Sequence, residues 1–146
     1  MNTASSSLLY ADVTEQIIKS YYHVYNTLGY GFLEKVYENA LAATVRKRGF
    51  DVVQQMPVKV FFEGVLVGEY LADLVVNGCV IIDVKAADDI HAAHEAQIVN
   101  YLKATPIEVG LLLNFGQEAQ FRRRLLTNDR KPSLPSALPS APSNPY

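Results

Sequence analysis

The chain has 146 residues, 49% hydrophobic and 19% charged, with a formal net charge of −2. That length suits one domain with one core, and the balance is that of an ordinary soluble globular protein. The near-neutral charge excludes a broadly basic surface, so binding to nucleic acid or anionic lipid would need a local patch.

A single cysteine, Cys79, rules out an internal disulfide and fits a reducing compartment. The N-terminal stretch MNTASSSLLYADVTEQ has no basic segment followed by an apolar one, so it does not read as a signal peptide. No apolar run approaches the roughly 20 residues that span a bilayer. The expectation is a cytoplasmic protein with no membrane partner.

Residues 1–11 are small and polar and read as a flexible lead into a single domain over residues 12–128. Asp12 or Thr14 is placed to cap a first helix running to about Leu28, with Val13, Ile17, Tyr21, Val24 and Leu28 near helical spacing. Gly29 and Gly31 break it. A second helix from about Leu33 to Arg48 puts Leu33, Val36, Tyr37, Ala40, Leu41 and Val45 on one stripe and ends in a basic turn before Gly49. Residues 52–62 read as a strand whose Pro57 suggests an edge position or a bulge. Glu63-Gly64 turns the chain into strands at 65–76 and 79–86, followed by a helix over His91–Ala104 and a buried strand Val109–Phe115. Residues 119–126 read as a closing strand or a short helix, and 129–146 as a disordered Pro/Ser-rich tail with five prolines and four serines after Lys131. The order α-α-β-β-β-α-β gives an α/β (α+β) domain, a mixed central sheet flanked by helices.

The stretch LADLVVNGCVIIDVKA, residues 71–86, puts charges into apolar strands. Side chains alternate along a strand, so Asp83 and Lys85 share a face with Ile81, while Asp73 shares a face with Val75. A two-residue Asn77-Gly78 turn sends the two aspartates to opposite faces. A three-residue loop ending at Gly78 places Asp73 opposite Ile81 and diagonal to Asp83, on one face. Two adjacent carboxylates are costly to bury without a cation. A hard divalent ion, Mg²⁺ or Mn²⁺, takes carboxylate oxygens and leaves room for phosphate, and a lysine beside it stabilises charge on phosphoryl oxygens. The competing reading of the same residues is an Asp–Lys pair on a solvated face.

Other polar residues have plainer readings. His91, His94 and Cys79 lack the spacing of a closed zinc site. His23 reads as a satisfied buried or half-buried histidine. The run Arg122-Arg123-Arg124 reads as a solvated edge before it reads as a phosphate clamp.

Five blocks then occur in order: GFLEKVYENAL with G-x-x-E-x-x-Y spacing, ADLVV, IIDVKA, HEAQIVNYLKAT and VGLLLNFG. Together they resemble the bacterial GxxExxY family, placed in the PD-(D/E)XK nuclease-like superfamily, over about residues 12–125. The resemblance implies a restriction-endonuclease-like fold, with Asp73 and Asp83 binding metal, Glu34 joining them, and Lys85 acting on water and phosphate. The block Gln97-Ile98-Val99-Asn100-Tyr101 is similar to the QxxxY motif of RecB-like nucleases, which implies that Gln97 and Tyr101 line the site. Tyr37 of the signature is expected beside them, as a site-lining residue or a core aromatic. Two functions stay open: a metal-dependent nuclease acting on nucleic acid, and an idle module of the same fold that binds nucleic acid or a protein. Self-association into a homo-oligomer is compatible with either.

Overall fold

The computed structural model describes residues 9–132; the expectations for residues 1–8 and 133–146 lie outside the described residues. Two helices, α1 (Ala11–Leu28) and α2 (Glu34–Lys47), precede three strands, β1 (Val52–Phe62), β2 (Val65–Val76) and β3 (Val80–Lys85). A third helix, α3 (Ala92–Lys103), leads to β4 (Val109–Phe115) and β5 (Ala119–Leu125). The segment left between strand and helix is thus a strand, β5.

The five strands lie in sequence order, antiparallel except for the parallel β3–β4 pair. A parallel pair needs a crossover, and α3 supplies it. Pro57 sits in β1, an edge strand of this sheet, as its missing donor requires. Glu63 and Gly64 both have positive φ, 50° and 81°, the conformation that turns a two-residue hairpin with the right twist. β1 also carries an irregularity between Val60 and Phe61.

The sheet buries both faces. Ile17, Tyr21, Tyr37 and Leu41 from α1 and α2 cover Leu74, Ile82, Val84, Leu111 and Leu113. On the other face Ile98, Tyr101 and Leu102 of α3 cover Val58, Val75 and Ile81. β4 is buried along its whole length, because helices lie on both sides of it. β3 therefore offers its Ile81, Asp83 and Lys85 side chains to the α3 face.

Three local expectations need correcting. α1 starts at Ala11 behind Tyr10, which has a positive φ and gives no side-chain cap; Thr14 sits inside the helix and donates its hydroxyl to Ala11 O at 3.2 Å. In α2, Leu33 is 80% exposed and Val36 is exposed as well, so the buried stripe is Tyr37, Leu41 and Val45 with Glu38 and Ala42. His23 is exposed.

Candidate active site

The loop between β2 and β3 is Asn77-Gly78-Cys79, three residues long, with positive φ at Asn77 (52°) and Gly78 (65°). Its odd length is the one that brings both aspartates to one face. The register differs by a step from the sequence expectation, because Val76 stays fully buried and paired with Val80 instead of entering the loop, which takes Cys79 in its place. The ladder pairs Leu74 with Ile82 and Val75 with Ile81 and stops one residue short of Asp73 and Asp83, which lie close enough that Asp73 raises the Asp83 carboxyl.

The two carboxylates are held very differently. Asp73 accepts Val84 N–H on Oδ2 at 2.7 Å and the Gln55 amide on Oδ1 at 3.3 Å. Asp83 is 4% exposed, and its buried Oδ2 has no hydrogen-bond partner. Burial pushes the Asp83 carboxyl up to about 7; Lys85 opposes this, while Asp73 and Glu34 push the same way. A buried acceptor without a donor is a site for a missing cation or proton.

Lys85 Nζ lies 3.7 Å from Asp83 Oδ2 and 3.4 Å from Gln97 Oε1. Gln97 turns its amide to the Tyr101 hydroxyl at 2.9 Å, one turn along α3. Burial raises the Tyr101 phenol to about 12, helped by the charges of Asp83 and Asp73, so it stays a proton donor at neutral pH. The structure thus gathers Asp73, Asp83, Lys85, Gln97 and Tyr101 into one cluster.

Glu34, the first residue of α2, is exposed and near enough to raise Asp83 by its charge. Among the described residues no three His, Cys, Asp or Glu side chains are arranged to hold a metal, so Glu34 does not close a three-carboxylate set with the aspartates. Tyr37 is elsewhere. Its ring stacks on Phe115 with centroids 4.4 Å apart, and its hydroxyl donates to Gly29 O (2.6 Å) and accepts Phe32 N–H (3.2 Å). His91 and His94 cap α3 through His91 N–H on His94 Nδ1, and Cys79 lies at the far end of β3.

Two partners of the site escaped the sequence reading. Glu38 is 3% exposed and accepts from Lys35, Gln54 and Gln55, each at 2.9 Å. Burial works to raise its pKa, but these donors outweigh it and hold the carboxyl below its ordinary value. Gln55 joins Glu38 to Asp73 through one amide nitrogen, and does so with φ at 57° in mid-strand. Asn114 is the third polar residue of note, fully buried in β4 and bonded both ways to the Ala87 backbone at 2.9 Å. Its signal was readable: one amide in the otherwise apolar VGLLLNF.

Residues 11–125 match the family model of the PD-(D/E)XK nuclease superfamily. The chain belongs to that superfamily. No curated protein and no solved structure matches it. Members of the PD-(D/E)XK superfamily generally use divalent metal ions. The residues here fit one, since two hard carboxylate donors lie close together and one buried oxygen has no hydrogen-bond partner. No helix is long and apolar enough to cross a membrane among the described residues.

Proposed function

We propose that this protein is a Mg²⁺- or Mn²⁺-dependent nuclease that hydrolyses phosphodiester bonds of nucleic acid in the cytoplasm. The observation that carries this reading is the orphaned, buried Asp83 Oδ2 beside Asp73 and Lys85. Asp73 and Asp83 are the residues that would hold the ion, with Glu34 nearby. When bound, the ion supplies Lewis-acid stabilisation of the phosphoryl oxygens. Lys85 places its ammonium protons where they orient the attacking water and meet charge growing on phosphate. Gln97 fixes the Lys85 ammonium and is itself fixed by Tyr101. The second reading, a binding module without hydrolysis, is favoured by the two-carboxylate donor set, which lacks a third close acidic ligand among the described residues.

Thermal melting against metal concentration tests the pair of readings. The wild-type melting temperature should rise with the logarithm of Mg²⁺ or Mn²⁺ concentration. Without metal, the folded chain keeps the Asp83 proton up to about pH 7, whereas an unfolded aspartate loses it near 4. The stability from that group is full below roughly pH 4 and is lost as pH rises through 7. Asp83→Asn should remove this pH dependence, melt no lower than wild type at neutral pH, and lose the metal response. Lys85→Ala should keep the metal response and lose cleavage. A wild-type curve indifferent to millimolar Mg²⁺ and Mn²⁺ alike leaves the binding module as the better reading.

A further inference from the structure

A cleft of about 420 Å³ is lined by Tyr30, Phe32, Ala87, Asp88, Phe115 and Gln117 among others. Two of its walls are continuous with site residues along the chain. Phe32 precedes Glu34 by two residues, and Ala86 and Ala87 follow Lys85. Tyr30 is 57% and Phe32 49% exposed, two aromatic rings on one loop.

The cleft is held open by buried polar groups. Tyr37 pins the Phe32 wall through Phe32 N–H and Gly29 O, and Asn114 pins the Ala87 wall by a two-way amide bond. Tyr25 donates to Gly116 O at 2.8 Å and Gln117 O at 2.6 Å, fixing the third side. A Cβ at Gly116 would stand 2.1 Å from Ala87 O, so the floor closes for any other residue. Such preorganisation lowers the ordering cost of a ligand.

The lining also selects the ligand. It contains no lysine or arginine, and Asp88 repels phosphate, so the occupant is not a phosphate. Two exposed ring faces fit a flat heterocycle, and the Asp88 carboxylate with the Gln117 amide fits its hydrogen-bonding edge. In a duplex both faces of a base are stacked and its pairing edge is used. We propose that this cleft takes an unpaired nucleobase next to the scissile phosphate, so that the substrate is single-stranded nucleic acid. The proposal rests on the nuclease reading and names its substrate class.

The test uses the full chain with Ca²⁺ and matched 2-aminopurine oligonucleotides, single-stranded and duplex, in deoxy and ribo forms. Wild type should bind the single strand more than tenfold tighter than the duplex and quench its 2-aminopurine fluorescence; preference between the sugars then identifies DNA or RNA. Phe32→Ala and Tyr30→Ala should each weaken binding about tenfold and relieve the quench. Tyr30→Ala should melt as wild type does, since its ring is mostly exposed, and Phe32→Ala somewhat lower but still folded, since its ring packs edge-on to Tyr37. Equal affinity for single strand and duplex, or alanine variants that bind and quench like wild type, overturns the cleft while the nuclease reading stands. Wild type that binds neither form overturns both.

Discussion

Gln55 shows how a single residue reveals its purpose by its conformation. A non-glycine residue at φ 57° carries strain of roughly 1–2 kcal/mol, and glycine would relieve it. The glutamine keeps that conformation while its amide spans Glu38 and Asp73. Gln55→Gly should therefore stay within about 1 kcal/mol of wild-type stability, because relief of strain offsets the lost hydrogen bonds. Its affinity for Mn²⁺ should fall on the order of tenfold, as for other contacts that orient a metal ligand. Calorimetry with Mn²⁺ beside a urea melt separates the two effects, and an unchanged metal affinity would make Gln55 a structural residue only. Strand parity alone placed Asp83 and Lys85 together, since alternation is blind to everything but period. It had no means of seeing Gln55 or Glu38, whose contact to Asp73 depends on a backbone turn that no spacing encodes.

At the scale of elements, the sequence pattern located the three α-helices and first four strands of the described residues, missed the short 3-10 turn Asn128–Arg130, and left 119–126 to be settled by its pairing with β4. The hairpin register was off by one because turn chemistry favours Asn-Gly endings, while burial of Val76 opposite Val80 keeps Val76 in the ladder and shifts Cys79 into the loop. Close packing of α3 on β4 was equally invisible beforehand. A Cβ at Gly110 would come 2.7 Å from Ile98 Cγ1 and 3.6 Å from Leu102 Cδ1. Gly110 is thus the gap that lets α3 sit low enough to present Gln97 and Tyr101 to the aspartates. Gly110→Ala should cost roughly 1–3 kcal/mol through overpacking, read from the urea midpoint, and should weaken cleavage by lifting Gln97 from Lys85. A wild-type midpoint would mean that α3 has slack at this contact.

For the whole molecule, charge decides how nucleic acid can be held. The net charge is −2, and the arginine run of β5, one of two three-cation runs alongside Arg46-Lys47-Arg48, is committed elsewhere. Arg122 and Arg124 pair with Glu95, Arg122 Nε at 3.8 Å, and Arg123 donates to Leu9 O at 2.6 Å. Lys131 closes the end of α3 by donating to Thr105 O and Ile107 O, each at 2.7 Å. These cations stabilise the fold, and the acidic site beside them repels a polyanion unless metal is present. Binding must then come chiefly from the ion, Lys85 and stacking, with few phosphates neutralised. Each phosphate contact on a single strand contributes about −0.7 to the slope of log affinity against log salt. With one or two such contacts the slope should be about −0.7 to −1.4, measured by anisotropy from low to physiological salt. A slope near −5 would require a basic track of seven or so phosphate contacts. The pairing of the arginine run with Glu95 and Leu9 leaves no room for that track on β5, so such a slope would mean that those ion pairs open when nucleic acid binds.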